Sequence, residues 1–147
     1  MNTTAESRGS SPLRNPLECV QAIQRATNQH DLEALAACFD PDYESEFPVH
    51  LGRAFRGQAQ MRKNWANIFA AVPDIYSDLL HAATDGDTVW AEWEWRGTRV
   101  DGNAFHHRGV TVQGVRHGLV VWVRMYMEPV QEAENGADVP APGFQGR

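Results

Sequence analysis

The spacing of the apolar residues changes near residue 75. In "LECVQAIQRATNQHDLEALAACF" and "AQMRKNWANIFAAV" they recur every three or four positions, the spacing of a helix with one buried side. Beyond that point the runs "IYSDLLHAAT", "TVWAEWEWRGT", "FHHRGVTVQGV" and "LVVWVRMYME" are separated by the turn signals "DGD", "DGN" and "RHG", the pattern of strands joined by tight turns. Helices followed by a strand meander can bury both only if the helices cover one face of the sheet. The predicted class is therefore α+β, with three N-terminal helices packed on a curved antiparallel sheet.

Local signals place the elements. Asn15 before Pro16 has the form of an N-cap followed by proline at the first helical position, so a helix starts there, with Leu17, Val20, Ile23 and Thr27 on one side. A second begins near Asp31, with Leu32, Leu35, Ala36 and Phe39 on one side. "YESEFPVH" reads as a short strand closed by Pro48. The third helix carries Met61, Trp65, Ile68, Phe69 and Val72 on one face and stops at Pro73. Residues 1–14 and 131–147 are polar or rich in Pro and Gly and read as disordered tails, which leaves one domain over residues 15–130.

The formal net charge of -6, without a local cluster of Lys or Arg, argues against nucleic acid as a partner. No apolar run is long enough for a membrane span and no signal peptide is recognisable, so no membrane association and a cytoplasmic location are expected. Cys19 and Cys38 sit in helical patterns and read as small buried hydrophobes rather than a disulfide. Elbow motifs of serine hydrolases and the glycine fingerprints of phosphate and dinucleotide sites are missing. Adjacent His106 and His107 point to opposite faces of a strand and cannot share one metal ion. No metal and no cofactor are expected.

Strand alternation divides "WAEWEWRGT". Val89, Ala91, Trp93 and Trp95 share one side, and Trp90, Glu92, Glu94 and Arg96 share the other. The last strand repeats the division, with Val121, Val123, Met125 and Met127 set against Trp122, Arg124, Tyr126 and Glu128. Large aromatics on a charged outer face suit a partner surface, and a homodimer through that face is expected. The strand over 106–114 has two readings. Either Arg108, Val110 and Val112 face inward, which its amphipathicity favours, or a bulge reverses it and His107, Gly109, Thr111 and Gln113 do.

The segments "ATNQHDLEALAACFDPDYESEFP", "FRGQAQMRKNWANIFAAVPD", "TDGDTVWAEWEWRGT", "RGVTVQGVRHGLV" and "VRMYMEP", in this order, resemble the SnoaL-like branch of the nuclear transport factor 2-like superfamily. The resemblance spans about residues 16–130 and implies a cone in which a strongly curved sheet and three helices enclose an apolar pocket. It includes polyketide cyclases, ketosteroid isomerase, limonene-epoxide hydrolase and scytalone dehydratase, so it leaves the reaction open.

Aligned on these relatives, the place of the isomerase's basic Asp before a proline holds Phe47. The charged positions of the epoxide hydrolase hold Trp93, Trp95 and Met125. By resemblance to scytalone dehydratase, His81 stands at that enzyme's histidine position and Asn28 at its helix Asp. The resemblance thus implies a cofactor-free acid/base enzyme for an apolar ring compound, catalysing isomerisation, cyclisation or dehydration. His81 would move the proton, helped by Asn28 or Arg108. Phe47, Trp65, Trp93, Trp95, Val110, Val123 and Met125 would shape the pocket. Loss of the relatives' acidic residues supports a second reading, a ligand-binding or scaffold protein of the same fold.

Overall fold

A computed structural model describes residues 13–131. The remaining residues of the two segments read as tails lie outside the described residues. Helix α1 (Pro16–Asn28) opens on a reciprocal cap: the Asn15 side chain accepts from the Glu18 N–H at 2.8 Å, and the Glu18 carboxylate accepts from the Asn15 N–H at 3.0 Å. Helix α2 (Leu32–Ala36) is capped by Asp31 and is shorter than the periodicity suggests. The bond to Pro41 disfavours helical backbone at Asp40, and Phe39 already begins strand β1 (Phe39–Glu46). A single 3-10 turn (Leu51–Arg53) and the two-residue strand β2 (Phe55–Arg56) lead into helix α3 (Gln58–Ala71), which ends before Pro73.

Four long strands follow: β3 (Tyr76–Asp85), β4 (Thr88–Thr98), β5 (Ala104–Arg116) and β6 (Leu119–Pro129). They form the expected antiparallel meander, but the complete sheet has six strands in the order β2-β1-β6-β5-β4-β3 and is mixed. Strand β1 lies parallel to β6, with Ser45 opposite Val123. That pairing joins distant parts of the chain, and no local pattern announces it.

Two bulges set the faces. Between Leu79 and His81 the register shifts, so Leu79 lies opposite Trp93 while His81 lies opposite Glu92. A second, between Gly114 and Val115, pairs Val115 with Val120 and Gly114 with Trp122. Val120, not Val121, therefore takes the inner place at the start of β6, and it is fully buried. The core lies between the inner face and the helices, where Val20, Ile23 and Leu35 meet Val89, Trp93 and Val123. Cys19 and Cys38 are free buried thiols; burial raises the Cys19 thiol to about 11.

Asn28 ties α1 to the sheet. Its amide donates to the Ser77 carbonyl at 2.9 Å and its oxygen accepts from the Ser77 N–H at 2.6 Å. One side chain thus satisfies both backbone groups of a residue on β3, the edge strand of the sheet, and fixes where the helix crosses it.

Candidate functional site

Beneath the helices the sheet encloses a cavity of about 340 Å³. Its wall is mainly aromatic and sulfur-bearing. Trp93 and Trp95 come from β4, Trp65 and Met61 from α3, and Met125 and Met127 from β6. Trp65 and Trp95 meet edge to face, their ring centroids 5.7 Å apart. Trp93 is only 2 % exposed, and its indole N–H donates to the Thr111 hydroxyl at 2.8 Å. With that N–H satisfied, the indole offers a ligand apolar surface alone. Strand β1 adds Phe39, Tyr43 and Ser45; burial pushes the Tyr43 phenol above its usual range, so it stays a neutral hydroxyl.

Six residues expected to shape a pocket line this cavity: Phe47, Trp65, Trp93, Trp95, Val123 and Met125. Four others stand elsewhere. The bulge before His81 turns its ring outward, where it shares a shallow outer depression with Trp90, Glu92 and Val110. Arg108 is exposed and pairs with Glu92 across β4 and β5 at 3.2 Å. Val110 and Arg108 are outward because the β4–β5 register places Trp93 opposite Gly109 and Trp95 opposite His107. Opposed residues of an antiparallel pair share a face, so the inner row of β5 is His107, Gly109, Thr111 and Gln113. Asn28 is occupied with Ser77. The expected union of His81, Asn28 and Arg108 about one pocket is therefore not what the fold assembles.

The second reading of β5 is the one adopted, and it brings in polar groups not weighed as site residues. Gln113 is 4 % exposed, and its side-chain oxygen is buried with no hydrogen-bond partner among the described residues. His107 also lines the cavity, its ring centroid 4.3 Å from that of Phe105, and its Nδ1 is buried without a partner among the described residues. Burial, reinforced by the nearby Arg99 charge, holds the His107 imidazole below the ordinary histidine value of 6.5, so the ring is neutral at pH 7. Glu128 acts in the opposite sense, but it is engaged with His50 at 2.6 Å. A buried polar atom without a partner costs about 1–3 kcal/mol, which a ligand group or a water that bonds it would recover.

The outer face is a different surface. Glu94 accepts from Arg96 and bonds His106 at 2.7 Å, and these partners hold its carboxyl below the usual range. Trp122 lies under the Arg124 guanidinium, while Trp90 and Tyr126 are 43 % and 37 % exposed. Among the described residues, no three His, Cys, Asp or Glu side chains come together as a metal would require. No helix among them is long and apolar enough to cross a membrane.

Comparison with known proteins places this geometry. The sequence profile of the SnoaL-like domain matches residues 20–123. No curated protein matches the chain in sequence. Among solved structures, the chain is similar to IdmH, a candidate polyketide cyclase from Streptomyces antibioticus, at 21 % identity and a TM-score of 0.69, with 78 % of this chain and 93 % of that one covered. It is similar to a Catenulispora acidiphila protein of ketosteroid isomerase-like fold, solved with trimethylamine, at 21 % identity and a TM-score of 0.67, covering 77 % and 86 %. A candidate isomerase from Bacillus subtilis gives 18 % identity and a TM-score of 0.69 over 77 % and 86 %. At such identities the likeness is one of fold.

Proposed function

This chain belongs to the SnoaL-like domain family, and from that premise we propose that its cavity takes up a small, largely apolar ring compound on which His107 moves a proton. The reaction class is cofactor-free isomerisation, cyclisation or dehydration. The observation that carries the reading is a neutral histidine in an enclosed, aromatic-walled cavity of a size that suits small ligands. A neutral imidazole takes a proton from one substrate atom and returns it to another, so no outside reactant is needed. Gln113, at the far end of the same strand face, would hold a polar substituent through its carboxamide. Trp93, Trp95 and Trp65 would stack on the ring and keep water out.

One observation favours the second reading, ligand binding without chemistry: among the described residues no Asp or Glu lines the cavity, so an imidazolium formed there has no carboxylate within the cavity to pair with. Native mass spectrometry of the purified protein, looking for a retained compound, would identify a substrate class; turnover is then compared in His107→Gln. Retention with loss of turnover supports the enzyme. Unchanged turnover in that variant would remove His107 from the mechanism.

The outer sheet face supports homodimerisation. Trp90 and Tyr126 leave a large aromatic area in water, beside the Glu92–Arg108 pair that a two-fold axis could match to its own copy.

A further inference from the structure

The residues lining the cavity divide sharply by exposure. All are buried or half-buried except Arg53 and Arg99, which are exposed. Exposed lining residues mark the opening, so the entrance carries two guanidinium groups. Arg53 sits at the end of the 3-10 turn Leu51–Arg53, and Arg99 directly follows β4 with its guanidinium 5.1 Å from the Phe105 ring centroid. Neither pairs with a carboxylate among the described residues, whereas Arg56, Arg62, Arg96 and Arg108 each do. Glu128, the acid that acts on His107 from outside the cavity wall, is already bonded to His50.

The chain as a whole is acidic, at -6, yet among the described residues the lining contains no Asp or Glu. Among the described residues the charged groups of this cavity are thus the two cations at its rim. The geometry points to a ligand that is anionic at one end: a ring compound bearing a carboxylate, with its apolar body among the tryptophans and its charge held at the rim by Arg53 and Arg99. A guanidinium presents a planar fork that matches a carboxylate, and beside a low-dielectric cavity such bonds are stronger than in open water. This inference rests on the reading of the cavity as a ligand site and narrows the ligand's class. It also couples to the proton transfer, because a bound anion would offset the arginine charge acting on His107.

The test compares 2-naphthoate with the isosteric neutral 2-naphthamide, followed through quenching of tryptophan fluorescence at pH 7.5. The expected result is that naphthoate binds about tenfold tighter than the amide and that the difference shrinks as salt is raised. In the double variant Arg53→Gln, Arg99→Gln the preference should vanish while amide binding stays as it was, which also reports that the variant is folded. Equal binding of the two probes to the unmodified chain would overturn the charge selection and leave the apolar cavity standing. A preference that survives in the double variant would overturn the role of these arginines. Binding of neither probe would overturn this inference together with the cavity reading.

Discussion

His107 is the residue on which the proposed chemistry turns, and its setting gives a titration with a definite sign. Because burial and Arg99 depress its folded pKa, the unfolded chain binds more protons in the interval between that value and about 6.5. The contribution of His107 to stability is therefore fully present above pH 6.5 and is lost as pH falls through that interval. An NMR titration should show its ring protonating below 6.5, and His107→Phe should flatten this part of the stability profile. A midpoint at or above 6.5 would contradict the neutral-base assignment. Asn28 gives the converse prediction. It holds both backbone groups of Ser77, so Asn28→Ala should cost about 2 kcal/mol in denaturant unfolding. Asn28→Asp, which can accept from the Ser77 N–H but cannot donate to its carbonyl, should recover only part of that. A residue acting on substrate would change turnover while leaving stability nearly untouched.

Among the elements, β5 is where backbone approach sets the site. At Gly109 an added Cβ would lie 2.1 Å from the Tyr126 carbonyl oxygen and 2.8 Å from the Met127 Cα, both backbone atoms that cannot step aside. Gly109→Ala should cost about 3 kcal/mol or more and disturb the β5–β6 register beside His107. At Gly114 the obstruction is the Trp122 indole, 1.9 Å away, a side chain that can swing, so the alanine there should be the milder variant in thermal unfolding. Much of this scale was legible in the sequence: the Asn15 cap, the helix stop at Pro73, four strands and the faces of β4 follow from local chemistry. The inward row of β5 has two readings in the sequence, and the amphipathic pattern favours the one the fold does not adopt; the register decides it. The turn between Thr98 and Ala104 fixes their pairing, and counting outward sets Trp95 opposite His107 and Trp93 opposite Gly109. Val110 and Val112 look like a core face because they sit among aromatics on the outer side. The turn of His81 to the outside was not legible, since it follows from a register shift against β4 between Leu79 and His81 that no local pattern carries.

For the whole molecule, one face of the sheet lines the cavity and the other carries the exposed aromatics through which we propose association. Sedimentation at micromolar concentration should give a dimer, and Trp90→Glu should weaken it on the order of 100-fold without altering ligand binding. A monomer in the unmodified chain would remove the outer-face interface. The parallel pairing of β1 with β6 has a consequence in time. Phe39 and Val120 are about 80 residues apart, and the cavity has no closed wall until these strands meet. A ribosome must have released nearly the whole domain before that can happen, and the closure of so long a loop belongs late on the folding path. A compound that fits the cavity thus has nothing to grip on the way in. It should leave the refolding rate unchanged and slow unfolding alone, lengthening the lifetime of the native state in proportion to its occupancy.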